Sequence, residues 1–447
     1  MSLTSDLGHF VSGLSFDRLP ADVIDIAKTG FIDCVGTMIA GRGEEAPQIL
    51  KNVLNPGGGE ASLYFSGQPA PAPEAAWING TAAHALDFDD VALRGHPSTV
   101  LVPAIIAEAE TLNASGAAML VAYVAGYETW AELVRRDEGF HHAKGWHPTG
   151  IFGAIAAAAA CASLRGLDTP RAAQAISLGA SQSAGLMANF GTMTKPFHAG
   201  RAAQAGIMAA RLAEAGFTAS MDGLEHAQGF LNAVSPAGKV DRGVASPTLG
   251  KEFSLAKHGL SIKKYPTCYC THRAIDGMLE LVTNNKISPA DVSEILVTLS
   301  ENYATILRNH RPQTGLAAKF SIEFAMSSAI VARRVGLTEL TDEFVQRDDI
   351  QSLIGRVSVA TNTDYDRDSS GASIHDQVSV RLISGEVLKG EPVKRARGHA
   401  ERPFSEADLF AKFENCLQVG KSHVPASALF ERLKGMEHGS ARHLTAA

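Results

Sequence analysis

The chain has 447 residues, 45% of them hydrophobic and 19% charged, with a formal net charge of −7. That length exceeds what one small core needs and predicts two domains, while the acidic balance excludes a nucleic-acid partner, which would require a basic face. Aromatic residues make up only 6% and glycine is abundant, a composition that points to closely packed helices. The five cysteines, Cys34, Cys161, Cys268, Cys270 and Cys416, form no paired framework, which predicts a reducing, cytoplasmic setting. No basic-then-apolar leader opens the chain, and its longest apolar run, residues 151–164, falls short of the roughly 18 residues a membrane span requires, so no membrane association is expected.

In chain order, residues 19–42 read as an amphipathic helix with Val23, Ile26, Ala27, Phe31 and Val35 on one stripe. A Pro-Gly turn at 55–59 leads into a short extended piece at 61–65. Helix resumes near Pro73 and runs through Trp77 and His84 towards an acidic cluster. Further helices are predicted at 102–112, 116–136, 150–164, 171–188 and 198–215, the third so rich in alanine that its neighbours must approach closely. No fixed repeat period is present, so the pattern is that of a bundle and not a solenoid. The texture changes after about residue 255: residues 295–299, 357–360 and 378–383 cluster β-branched side chains and read as strands, with helices at 271–284 and 322–334 between them. Residues 361–371 are a polar turn region. From Glu406 the helical pattern returns, through Leu409, Phe413, Leu417 and Leu429 to Leu433. The expectation is a mainly α protein: a large all-helical domain built from residues 1–259 and 401–447, with a smaller α+β lid domain, 260–400, inserted.

Chemistry concentrates in residues 84–98, where three carboxylates (Asp87, Asp89, Asp90) and two imidazoles (His84, His96) sit within fifteen residues. Charge beside so much apolar sequence must be solvated, paired or used. His96 stands directly before Pro97, and the device returns in His147-Pro148 and Lys195-Pro196. Proline suits a first helical turn and holds the residue before it extended, so each of these side chains is expected near a helix N-terminus, where unpaired N–H groups favour anions. The inference is that the three converge on a substrate with more than one carboxylate. Asp87 is the acid expected to orient a histidine or touch substrate; Asp89 and Asp90 fit a solvated or salt-bridged face. For Lys195 two roles stay open: a base whose pKa is lowered by the helix end and neighbouring cations, or a protonated clamp on a dianion. Lys263, Tyr265 and His272 open the smaller domain.

Other signals are weaker. Asp87 and Asp90, three apart, suit a magnesium-diphosphate helix, yet no second acidic motif completes such a site, so no metal is expected. Asp364, Asp366 and Asp368 suggest a calcium loop, but Ser369 stands where that loop needs glycine and His375 where it needs glutamate, leaving a polar turn. Cys268 and Cys270 lack four-ligand spacing and read as buried thiols. His141 and His142, beside Lys144, are expected to face water. Nucleotide-binding fingerprints and a serine-hydrolase elbow are absent from the sequence, so no cofactor is expected.

These motifs resemble those of the MmgE/PrpD family, which includes 2-methylcitrate dehydratase, cis-aconitate decarboxylase and iminodisuccinate epimerase. The similar stretches are residues 79–90 (ending Leu86-Asp87-Phe88-Asp89-Asp90), His96-Pro97-Ser98, residues 145–150 around His147, residues 191–200 around Lys195, residues 262–266 and Lys319-Phe320-Ser321. The resemblance implies a helical main domain, a smaller lid domain, a homodimer, an active site between the domains and cofactor-independent chemistry on a di- or tricarboxylate. It implies that Asp87, His96, His147, Lys195 and Lys263 line the site, with His272 near a further site position; Tyr265 and Arg94 are added as substrate-binding residues. Two departures stand out: Cys268 where relatives carry histidine and Phe324 where they carry tyrosine; Val91 also replaces a threonine. Losing a phenol and an imidazole removes two candidate proton donors, which disfavours expulsion of hydroxide. Lys195 and His147 are then assigned to proton transfer, His96 and Lys263 to neutralising a carboxylate. The function expected on this basis is epimerisation of an amino-dicarboxylic acid such as iminodisuccinate. The alternative is a hydro-lyase of 2-methylcitrate dehydratase type, or a decarboxylase acting on a tricarboxylate.

Overall fold

A computed structural model describes residues 2–137, 139–367 and 371–446. The chain divides into two compact units, one formed by Met1–Asn189, Met193–Ser261 and Ser405–Ala447, the other by Phe190–Thr192 and Ile262–Phe404.

In the first unit, helices α1 (Leu3–Gly13), α2 (Ala21–Gly41) and α3 (Glu45–Leu54) lead to a short antiparallel hairpin, β1 (Ala61–Leu63) with β2 (Gln68–Ala70). There follow α4 (Ala72–Ala85), α5 (Ser98–Leu112), α6 (Gly116–Val134), α7 (Pro148–Leu164), α8 (Thr169–Ser181) and α9 (Thr194–Glu214). Two later helices, Glu406–Val419 and Ala426–Lys434, return to pack on α2. Helix α7 is buried from Pro148 to Ala162, as expected of a helix apolar on every side. Its alanines let α9 lie against it, and α9 also packs on α4. At that second contact the spacing leaves no room for side chains. A Cβ on Gly200 would stand 2.1 Å from the Trp77 carbonyl oxygen, and one on Gly80 would stand 2.8 Å from Gly200 Cα. The low aromatic content is thus the composition of backbones packed nearly in contact.

The returning helix Glu406–Val419 carries Lys412, whose Nζ lies 2.6 Å from Asp33 Oδ1, 2.6 Å from the Phe88 carbonyl oxygen and 4.0 Å from the centre of the Phe88 ring. Burial pushes the Asp33 carboxyl up and Lys412 opposes it.

The second unit holds a sheet of β3 (Val292–Ser300), β4 (Val357–Asn362), β5 (Gln377–Leu382) and β6 (Val387–Lys389) in the order β4-β3-β5-β6. Strand β3 pairs parallel with β4 (Ile295 opposite Val357) and antiparallel with β5 (Val297 opposite Val378). Helices His272–Asn285 and Ile322–Val331 accompany it, and Ala318, Phe324, Val345, Ile350 and Ile354 form an apolar cluster. The architecture is therefore mainly α with a smaller α+β unit. No helix among the described residues is long and apolar enough to cross a membrane.

Two expected helices are redrawn. The helix expected over 171–188 ends at Ser181; Gly185, at φ +133°, and a separate helical turn at Met187–Asn189 follow. The helix expected from His198 begins at Thr194, so Lys195 sits inside its first turn rather than extended ahead of it. Pro196 is tolerated there because the first helical N–H groups have no intrahelical partner to lose. In the polar turn, Asp366 is paired with Arg395; Asp368 and Ser369 lie outside the described residues.

Candidate active site

Helix α4 ends at Ala85, and Asp87 takes the left-handed conformation (φ +49°) two residues on. Asparagine and aspartate tolerate this geometry better than most side chains, and it turns the chain out of the helix. A carboxylate is unfavourable at the negative end of a helix. Here the first turn of α9 compensates: Lys195 Nζ lies 2.8 Å from Asp87 Oδ1, with both side chains about 95% buried.

The imidazoles gather around this ion pair. His96 Nε2 is 4.0 Å from the same Asp87 oxygen. The His84 ring lies 4.4 Å from that of His96 and stacks at 6.0 Å on that of His147. His147 is the residue that immediately precedes α7, its backbone N–H donating to the Gly185 carbonyl, and its Nδ1 is 3.1 Å from His198 Nδ1. A Cβ on Gly185 would stand 3.3 Å from the His198 ring and 3.4 Å from His147 Cβ, so glycine is the residue that seats this pair.

Burial governs the charge states. It drives His84 down to about 3 and His198 to about 4, the Lys195 charge adding to the effect in each case. Burial, followed by Lys195 and the neighbouring histidines, also takes His147 well below its ordinary value. These rings are neutral at pH 7. Asp89 is the opposite case: burial works against its charge, yet His84 and His96 hold it well below the usual carboxylate range. Asp90 is pushed well up by burial and by Asp33, and it accepts from the Ser98 hydroxyl at 2.6 Å.

Of the residues expected from sequence, Asp87, His96, His147 and Lys195 are brought together. Arg94 instead donates to the carbonyls of Asp137 and Gly139, both at 2.8 Å. Lys263, Tyr265 and His272 belong to the second unit, all buried; the Tyr265 hydroxyl donates to Asp276 at 2.6 Å and its ring meets His272 edge-on. Two expectations are corrected. Asp89 and Asp90 are fully buried, so the solvated alternative fails for both, while the ion-paired one holds for Asp89, which lies 2.8 Å from His84 Nδ1. His141 is buried too, its ring edge-on to Phe152 of α7. Phe324 is a core residue of the second unit. No disulfide is formed and all five thiols are buried, Cys268 and Cys270 included.

Sequence reasoning placed His84 and Asp89 in the chemically dense segment without assigning them to the site, and it missed His198. His198 had a signal, since it falls three residues after Lys195 and so on the same helical face. His84, Asp87, Asp89 and His96 stand close enough together to hold a metal ion. Their hydrogen bonding is of another kind: Asp89 accepts from imidazole nitrogen, and a lysine ammonium already faces Asp87.

A buried cation among neutral imidazoles and ionised carboxylates is equipment for moving protons beside an anion, out of reach of water. The chain belongs to the MmgE/PrpD family: residues 5–242 match its N-terminal domain and residues 265–431 its C-terminal domain. It is similar to the cis-aconitate decarboxylase of Homo sapiens, 26% identical over 98% of this chain and 92% of the human one. The mouse enzyme of the same name is 26% identical over 92% of this chain and 86% of its own. That of Aspergillus terreus is 26% identical over 82% and 80% respectively.

Proposed function

We propose that this protein is a lyase that releases carbon dioxide from a small tricarboxylate by carbanion chemistry, using its own side chains. The observation that carries the reading is the buried Lys195–Asp87 pair ringed by His84, His96 and His147. The similarity to cis-aconitate decarboxylases over most of the chain favours this reading over the epimerase expected from sequence.

When carboxylate leaves as CO2, its carbon–carbon bond breaks and the electron pair stays on the remaining carbon. Charge then builds towards the adjoining unsaturated carboxylate, and a fixed ammonium in a dry site stabilises it far more than water would. Lys195 supplies that ammonium, and Asp87 holds it in place. A proton must then reach the carbon, and a lysine or an imidazole that can reload from its neighbours suits that task. The departures at Cys268 and Phe324 bear on the choice within the lyases. Expelling hydroxide needs an acid at the leaving oxygen, whereas CO2 leaves without a proton. Decarboxylation is the less demanding reaction for this set of residues.

The test is proton NMR in D2O with purified protein and, separately, cis-aconitate, 2-methylcitrate and iminodisuccinate, alongside trapping of CO2. The expected result is CO2 release with one deuterium in the product, unchanged in excess EDTA. Deuterium entry with inversion and no CO2 would return the assignment to an epimerase; an alkene formed by loss of water would mark a hydro-lyase. The resemblance also supports a homodimer, which light scattering after gel filtration would register as twice the chain mass.

A further inference from the structure

Asp89 is fully buried, with one carboxylate oxygen hydrogen-bonded to His84 and the other within ion-pair distance of His96. Oδ1 is 2.8 Å from His84 Nδ1, and Oδ2 is 3.0 Å from His96 Nδ1. His96 Nδ1 also stands 3.0 Å from the Asp90 backbone carbonyl. A carbonyl oxygen only accepts, and an ionised carboxylate only accepts, so the nitrogen facing them must be the one that carries hydrogen. A neutral imidazole has one N–H, and placing it on Nδ1 leaves Nε2 as a bare lone pair. For His84 that atom is buried and has no hydrogen-bond partner among the described residues. For His96 it is the atom turned towards Asp87 and its ion pair with Lys195.

We propose that Asp89 is a positioning residue that locks His84 as its Nδ1–H tautomer, as the Asp90 carbonyl does for His96, so that each ring presents Nε2 as a proton acceptor. The consequence reverses part of the sequence-based assignment. A neutral His96 cannot donate from Nε2 to a substrate carboxylate, so its duty is to accept a proton or a hydrogen bond, and neutralising charge falls to Lys195. His84, to which the sequence reading gave no role, joins it as a second acceptor, its ring 4.4 Å from that of His96. The roles of these two atoms in turnover rest on the proposed decarboxylase; the tautomers themselves do not.

The experiment therefore has two readouts. Long-range proton–nitrogen NMR on protein labelled at histidine nitrogen, at pH 8, with His84→Gln and His96→Gln used only to assign signals, reads which nitrogen is protonated. Pyrrole-type Nδ1 and pyridine-type Nε2 for both residues is expected, and a protonated Nε2 on either neutral ring overturns the proposal whatever the substrate proves to be. In Asp89→Asn, the amide supplies one acceptor where the carboxylate supplied two. His84 is expected to lose its single tautomer in the same spectrum, while His96 keeps its own through the Asp90 carbonyl. On the substrate identified by the CO2 assay, kcat should fall by about 10²-fold or more with KM within about threefold, in keeping with loss of a correctly oriented proton acceptor. An unchanged His84 spectrum with wild-type kcat overturns the assignment of Asp89. A retained tautomer lock in a protein that releases no CO2 overturns only the decarboxylase.

Discussion

Lys195 and Asp87 illustrate how a buried charge is both an asset and a liability. Removing one partner leaves the other in a site it cannot leave, which costs about 3–5 kcal/mol, whereas removing both is close to neutral. Lys195→Met is therefore expected to lower the urea midpoint markedly, and Lys195→Met with Asp87→Asn to restore most of it; neither should turn over substrate. Wild-type turnover in the double variant would remove the pair from the mechanism. At this scale the sequence was legible wherever proline marked a helix start, as at His96, His147 and Lys195. Asp89 was not legible. Whether a carboxylate in a loop is solvated or enclosed depends on helices that arrive from residues 148–214 and beyond, and the local sequence Phe88-Asp89-Asp90 contains no trace of that.

Helix α9 matters through its distance from α4. Since a Cβ on Gly200 would lie 2.1 Å from a backbone oxygen and 2.5 Å from Thr81 Oγ1, Gly200→Ala must push the two helices apart. Overpacking of this kind costs about 1–3 kcal/mol. It should also lower kcat, because it shifts Lys195 relative to the end of α4; a variant with unaltered melting temperature and kcat would show that the helices have slack there. The returning helix Glu406–Val419 makes a separate prediction. Lys412→Met strands Asp33 without its partner and should cost about 3–5 kcal/mol in urea unfolding, most of it recovered by adding Asp33→Asn. Element types were readable from periodicity and from β-branched clusters. Their ends were read less well: the start of α9 moved because a proline is admissible deeper in the first turn than the rule for its preceding residue suggests. The hairpin's second strand, only Gln68–Ala70, is too short for any periodicity to mark it.

Across the whole molecule, buried and partly buried neutral histidines couple folding to pH. His84, His142, His147 and His198 have folded values well below the ordinary one, so between about pH 4 and 6.5 the unfolded chain binds protons that the folded chain refuses. Stability must then rise with pH through that window, by at most about 1.4 kcal/mol per pH unit for each such histidine. Asp33 and Asp90, pushed up by burial, pull the other way above about pH 3.8 and offset part of the gain. The net expectation is a urea midpoint lower at pH 5 than at pH 7; a flat profile that persists in Asp33→Asn with Lys412→Met would mean that these rings are charged in the fold. The division into two kinds of structure was legible at large scale, because texture shifts from alanine-rich helix to β-branched strands near residue 255. The return of the helical pattern at Glu406 likewise let the residues on either side of the insert be read as completing a single helical unit.

That completion sets a schedule for synthesis. Asp33 leaves the ribosome hundreds of residues ahead of Lys412, so the nascent helical unit must wait for all the chain between them before its buried acid is answered. The inserted residues 262–404 emerge in the interval with their strands and helices already contiguous. The guest is thus free to fold ahead of its host, and a nascent chain stalled before residue 405 should hold a protease-resistant insert beside helices that are still easily cut.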